Sequence, residues 1–388
     1  MSKCLKFLKS ILLLFVFLSG MSLFAIENND KNVTFNSKGY VQIDHIFWKG
    51  DKNDDFLSGA FLKNVGLFVD GEYDNSFSYF LHFNFRLKYN LSQAYIRYSG
   101  DFWNIKIGKV VIPFSLEEAV NSNHRVFMER CLLEGIVENS FLGFIVDFST
   151  DFYNLSVAVV VPELVYSSEK KQSNKYSFLV RGFTNPIKHT GFMCHLGFNY
   201  KLIKMHPEEN SPLGSVMFKD ISSFDAPHSL LVSQLSSLPR YYVLGFEFLG
   251  IWKSLCVQSE FTFINALWRD YENEVYNSWY IQTSFLLTGE SRIYDFNSGI
   301  YFDPVPKLSF GAFELAFRYS HSNMMNNGAL LRGVSARDGK KDTFVCGVNW
   351  FVNKSLKLQF NYAYEEFTYR LLNSRALSGV GFRIQFSF

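Results

Sequence analysis

The chain has 388 residues, a formal net charge of +2, 48% hydrophobic and 18% aromatic residues, and a mean hydropathy of +0.00. So mild a charge makes no case for nucleic acid as a partner, and the sequence has neither a phosphate-cradling glycine loop nor a long basic run. Abundant aromatics at average hydropathy mean that apolar residues are spread evenly, as strict alternation requires.

Met1 to about Ala25 reads as a secretory signal: Lys3, Lys6 and Lys9, an apolar core from Ile11 to Leu18, then the small residues Ser19, Gly20, Ser22 and Ala25. An uncleaved membrane anchor is the alternative, but the core is short for a spanning helix, and beyond it no stretch approaches ~18 consecutive apolar residues. Residues 26–388 are then one exported unit, since a barrel can run this long as a single domain.

From there a period of two dominates. Phe61, Val65, Leu67 and Val69 stand against Asn64, Asp70 and Glu72; Phe77, Tyr79, Leu81, Phe83, Phe85 and Leu87 stand against Ser78, His82, Asn84, Arg86 and Lys88. Trp103, Ile105 and Ile107 oppose Asn104 and Lys106, and Leu196, Phe198 and Tyr200 oppose His195 and Asn199. The pattern continues with Phe261 and Phe263 against Glu260 and Thr262, Phe313 to Tyr319 against Glu314 and Arg318, and Leu356 to Tyr364 against Lys357, Gln359 and Asn361. Weaker candidates at Tyr40–Trp48, Leu91–Ser99, Phe141–Ser149, Leu155–Val161, Tyr176–Phe183, Tyr241–Phe248, Ser278–Leu287 and Phe344–Phe351 bring the count to about sixteen. In the last stretch Val380, Phe382, Ile384, Phe386 and Phe388 share one face while Gly381, Arg383, Gln385 and Ser387 share the other. A terminal strand in such strict register is expected to close a cylinder onto the first strand, because an open edge in lipid leaves backbone groups unsatisfied. The expected fold is an all-β transmembrane antiparallel β-barrel, with an even strand number that encloses a water-filled channel.

Connection lengths support this. Tight turns fall at Asn75, Gly100-Asp101, Thr150-Asp151, Asn185-Pro186, Leu249-Gly250 and Asn353-Lys354. Long loops fall at Lys49–Gly59, Val110–Ser140, Lys201–Pro239 and Asn323–Lys341, so short periplasmic turns alternate with long extracellular loops. Tyr89-Asn90 is too short for an outer connection, and Thr288–Ser309 too long for an inner one. Cys4 leaves with the signal, and Cys131, Cys194, Cys256 and Cys346 lack any CxxC spacing, so they read as small apolar side chains.

The polar faces are expected to line the pore. Arg86, Arg97 and Lys106 lie on three consecutive strands, with His82 and Lys88 nearby. With tight hairpin registers, Lys106 falls beside Tyr95 and Arg97 beside His82, so that the cations step along the pore axis and offer an anion successive shallow sites. A solvated wall balanced by Asp70 and Glu72 is the plainer alternative. Val110–Ser140 carries Glu117, Glu118, Arg125, Glu129 and Arg130, and can either fold into the barrel and narrow it or cover its mouth. No nucleophile motif accompanies His82, His195 or His321, and no cluster has metal-ligand spacing, so neither catalysis nor a cofactor is expected.

Several blocks resemble the phosphate-selective porin O and P family of Gram-negative outer membranes: Gln93–Gly100, Ile107-Gly108, Pro113–Glu118, Phe127–Arg130, Leu287–Arg292, Gly311–Ser320 and Gly347–Phe351. The resemblance implies a sixteen-stranded porin, a homotrimer among outer-membrane lipid and lipopolysaccharide, passing small solutes with an anion bias. It also implies that the barrel-assembly machinery reads the terminal Phe388. Phosphate-selective members look to carry an Arg pair opening the second strand and a Lys before the Pro-Phe of the third loop. The matching positions here are Lys63-Asn64 and Val111-Ile112, so Lys63 is the retained cation. A barrel serving as surface anchor or adhesin, and a soluble all-β secreted protein, share the same alternation.

Overall fold

The computed structural model describes residues 34–49, 58–74, 76–85, 90–131, 141–162, 175–189, 191–205, 216–220, 222–224, 231–235, 238–268, 272–325 and 338–388. The signal segment, Arg86, Lys88, the loop 50–57 and the 132–140 end of the third loop lie outside them. In chain order the strands are β1 (Asn36–Lys49), β2 (Gly59–Tyr73), β3 (Phe77–Asn84), β4 (Asn90–Ser99), β5 (Trp103–Val110), β6 (Phe141–Ser149), β7 (Tyr153–Pro162), β8 (Lys175–His189), β9 (Phe192–Met205) and β10 (Val216–Lys219). Then follow β11 (Val232–Leu235), β12 (Arg240–Trp252), β13 (Leu255–Leu267), β14 (Glu274–Leu286), β15 (Ile293–Asp295), β16 (Ile300–Phe302), β17 (Ala312–Asn323), β18 (Gly339–Phe351), β19 (Leu356–Tyr369) and β20 (Arg375–Ser387). Sixteen of them form one closed antiparallel barrel, while β10–β11 and β15–β16 are separate two-stranded sheets.

Closure falls where the terminal alternation places it. β20 pairs with β1 from Tyr40↔Ser387 to Lys49↔Ser378, and Gly39 and Phe388 exchange both backbone hydrogen bonds at 2.9 Å. No strand edge of the cylinder is left to lipid.

The distribution of side chains is the reverse of a soluble core. Leu196, Phe261, Phe317, Phe344, Phe382 and Ile384 are exposed, whereas Glu247, Gln258, Glu260, Glu314, Arg318, Asn361 and Arg383 are buried. Only a hydrocarbon exterior makes that arrangement favourable. Phe382→Arg, in the middle of the exterior face of β20, is therefore expected to destabilise the inserted barrel by about 2–4 kcal/mol. The check is loss of the fast-migrating unheated band in gel electrophoresis; an unchanged band would place Phe382 away from lipid.

β6 to β8 show weak alternation for a physical reason. Their lumen-side residues Ile145, Ala158, Val160 and Leu179 pack into a hydrophobic cluster with Ile203 of β9 and with Ile112, Phe114, Phe218, Leu231 and Leu235 from inserted segments. Over these stretches the strands face apolar surroundings on both sides. One face assignment changes on β2: a bulge between Gln42 and Ile43 leaves Lys63 without a Cα partner, so Lys63 and Asn64 both turn inward. Phe61, expected on the apolar exterior, consequently packs against an interior cluster.

Candidate functional site

Three segments occupy the lumen. The described part of the third loop runs from Val110 through a helical turn, α1 (Leu116–Ala119), to Cys131, and several of its backbone polar groups are satisfied by the barrel wall. Leu116 and Glu117 N–H donate to Glu260 at 3.0 and 2.8 Å, Ser115 N–H to Asn199 Oδ1 at 3.1 Å, and Met128 N–H to Asn361 Oδ1 at 3.0 Å. In the other direction Gln385 Nε2 donates to Asn123 O, Asn349 Nδ2 to Val126 O, Arg383 Nη1 to Met128 O and Arg318 Nη1 to Glu129 O, all at 2.9–3.0 Å. The second segment brings β10–β11 and Phe224 inward, where Glu365 accepts from Ser223 N–H at 2.6 Å. Phe224 lies against Gly379 and Gly381; a Cβ on Gly381 would sit 2.5 Å from its ring.

The third is the connection that looked too long for a periplasmic turn. Residues 288–311 hold the β15–β16 hairpin and fold back inside, where Arg292 forks onto Glu314 at 2.9 and 2.7 Å and Tyr294 Oη meets His195 Nδ1 at 2.6 Å. Asp303 lies 3.2 Å from Lys357 Nζ, 3.4 Å from His124 Nδ1 and 3.6 Å from Arg292 Nη1, tying hairpin, loop and wall together. Burial opposes ionisation of Asp303, but Lys357 and then His124 and Arg292 outweigh it, and its carboxyl is held down at about 2. Paired charges recur around this half of the lumen: Arg383 with Asp44, Arg181 with Glu247, and Lys341 with Asp220 and Glu365. The polar faces of β12 to β20 are thus largely loop anchors rather than water-lined wall, and sequence reasoning missed that role. The available signal was acid and base on the inner faces of strands that pair or lie close, as with Arg181, Glu247 and His195.

The wall from β2 to the start of β6 differs. Among the described residues, Phe68, Asp70, Ser78, Phe80, His82, Gln93, Tyr95, Arg97, Lys106 and Asp147 face the lumen and are only partly buried. Here the predicted rows are corrected: Ser78, Arg97 and Lys106 share one row, and His82 lies beside Gln93. The cations Arg97 and Lys106 are neighbours, not steps. β3 ends at Asn84 and β4 begins at Asn90, so the turn expected at Tyr89-Asn90 lies partly outside the described residues, and a second bulge lies at His82/Phe83.

The expected site residues separate by partner. Lys63 of β2 pairs with Glu129 of the third loop, and Arg130 with Glu118 within that loop. Lys106 is held by Asp147 at 2.8 Å. Arg125 lines a small cavity with Glu117, Glu129, Gln282 and Arg318. His82 stacks on Phe68 with ring centroids 4.3 Å apart. Arg97 donates from Nε to Ser78 Oγ at 2.8 Å and, among the described residues, has no acceptor for Nη1 or Nη2.

A closed strand cylinder, apolar outside and polar within, entered by an outer loop, defines a porin-type channel of the outer membrane. A family model described as "Phosphate-selective porin O and P" matches residues 35–388, and the chain belongs to that family: it is an outer-membrane porin, a channel and not an enzyme. Porin O of Pseudomonas aeruginosa is 23% identical over 375 residues, 87% of this chain and 84% of that protein. Among solved structures, an anion-selective porin from Comamonas acidovorans aligns with a TM-score of 0.57 at 10% identity, covering 92% of this chain and 100% of the other. OmpT of Vibrio cholerae in its trimer form aligns with a TM-score of 0.53 at 9% identity, covering 92% and 99%. At such identities the two structures speak for the fold alone.

Proposed function

We propose that the channel passes small anions by diffusion along the β2–β6 wall, and that Arg97 is the cation that biases it. The observation that carries this reading is the guanidinium of Arg97, oriented by Ser78 with its terminal nitrogens free among the described residues, while Lys63, Lys106 and Arg130 each hold a carboxylate. A cation already paired presents little net field to a passing ion; an unpaired one offers a shallow anion site. The Val110–Ser140 loop acts as the constriction. Chloride-like anions fit better than strict phosphate selectivity, because Lys63 is paired and Ile112 is a buried apolar residue where a phosphate-selective member looks to have a cation.

The same proposal includes export by cleavage near Ala25, recognition of Phe388 by the assembly machinery, an exterior belt against lipid and lipopolysaccharide, and a homotrimer like that named for the Vibrio cholerae neighbour. The test is reversal potential across purified channels in a salt gradient. Arg97→Gln is expected to shift it toward cations, with Lys106→Gln plus Asp147→Asn shifting it less, because that double change removes a pair that carries little net field. Identical potentials for wild type and Arg97→Gln would remove Arg97 from the filter.

A further inference from the structure

The open wall carries more than charge. Tyr40, Phe68, Phe80 and Tyr95 all point into the lumen, with centroid separations of 5.8 Å for Tyr40–Phe68, 6.1 Å for Phe68–Phe80 and 5.3 Å for Phe80–Tyr95. The rings of Phe80 and Tyr95 are inclined by only 24°, and those of Phe68 and His82 by 25°. The faces of such rings offer hydrated inorganic ions no strong donor or acceptor, so a filter for those ions alone does not account for them. Tyr40 is buried and its Oη accepts from Ser122 Oγ of the third loop at 3.2 Å, whereas Phe68, Phe80, His82 and Tyr95 all remain partly open.

The next row toward the periplasm holds Arg97, two residues along the same face from Tyr95. Its Nε is fixed on Ser78, so the planar fork of Nη1 and Nη2 stands ready for a two-oxygen acceptor. In the Tyr95 row the wall continues through Gly108 and Gly143, which add no side chain beside the ring. Lys106, across from Arg97, has its charge countered by Asp147. Asp70 faces the lumen beyond Phe80, two strands from Tyr95, with Asn36 as its hydrogen-bond partner. A ligand fitting this wall has a flat apolar ring to lie along Phe80 and Tyr95 and a planar carboxylate for Arg97.

We propose that Phe68, Phe80, His82, Tyr95 and Arg97 form a subsite for aromatic carboxylates, through which such anions pass in preference to aliphatic ones. This deepens the anion-channel reading and rests on it. Ring contacts supply retention without a deep well, so the solute can enter and still leave.

The experiment is block of single-channel chloride current by benzoate, with acetate as a carboxylate of equal charge and no ring. In wild type, benzoate is expected to block at concentrations about tenfold lower than acetate, the scale of one favourable aromatic contact. Phe80→Leu with Tyr95→Leu is expected to erase that difference while leaving acetate block unchanged. Arg97→Gln is expected to abolish block by both, and Asp70→Asn to strengthen both. Gel mobility of the unheated protein identifies folded variants, and the wild-type comparison needs no variant. Equal block by benzoate and acetate in wild type would overturn the subsite, as would full benzoate block in the folded double Leu variant. If Arg97→Gln still shifts the reversal potential in that case, the anion channel stands without the subsite. If neither effect is seen, both fail.

Discussion

Replacing Arg383 with Met is expected to lower barrel stability by about 3–5 kcal/mol, the cost of leaving one member of a buried ion pair alone. Arg383 and Asp44 are cross-strand partners at the closing seam, 339 residues apart, and both side chains are fully buried. The fork is bidentate, with Nε to Oδ1 and Nη2 to Oδ2 each at 2.7 Å. Without Arg383 the fully buried carboxylate of Asp44 has no counter-charge among the described residues, and the third loop loses the donor to Met128 O. Two readouts follow: the temperature at which the unheated gel band converts to the denatured one should fall, and single-channel conductance should rise as the loop loosens. Adding Asp44→Asn should recover part of the thermal loss, because it removes the stranded charge, but should not restore conductance. Recovery of neither, or an unchanged transition in Arg383→Met, would refute the assignment of this pair as the seam's electrostatic clasp.

The cylinder was legible because lipid on one side and polar surroundings on the other impose a period of two that no loop can disguise. Gln258, Glu260, Glu314, Arg318, Asn361 and Arg383 all lie on the face that alternation assigns to them. What alternation cannot say is whether the inner face meets water or protein. Polar side chains serve equally well for both, because a peptide group inside a barrel needs the same donors and acceptors that water would use. Glu260 therefore read as channel wall, whereas it accepts two backbone N–H groups of the third loop. On β6 to β8, where inserted apolar residues replace water, the alternation itself fades. Registers were the least legible feature. They depend on single-residue bulges and on turn length, so Arg97 came beside Lys106 rather than one row away, and Lys63 became the extra residue of a bulge with Glu129 as its partner. Arg97 itself was found from sequence, but its freedom from a carboxylate among the described residues was not, since that depends on which acids the folded wall brings near.

Asp303→Asn is expected to open the channel more than any substitution on the open wall, because this one carboxylate joins three elements. Lys357 of β19 also donates to Arg125 O at 2.9 Å, so the cation that Asp303 neutralises is one of the groups holding the descending loop. Arg292 carries the inner hairpin to the same point and donates to His124 O at 3.4 Å. With Asn in place, Lys357 keeps its loop carbonyl but loses its counter-charge in a site where its side chain is only 4% exposed. The balance then favours hydrating the lysine and releasing the loop. The readout is a larger and noisier single-channel current at neutral pH. Acid should reproduce the effect in wild type within a defined window. Asp303 has its carboxyl lowered from 3.8 to about 2, so its contribution is complete above the ordinary carboxylate value and is lost as pH falls through about 2. Conductance should therefore hold steady from pH 7 to about 4 and rise only below that, whereas Asp303→Asn should already be open at pH 7. A wild-type channel that opened near pH 6, or an Asp303→Asn channel with wild-type conductance, would show that the loop is held elsewhere.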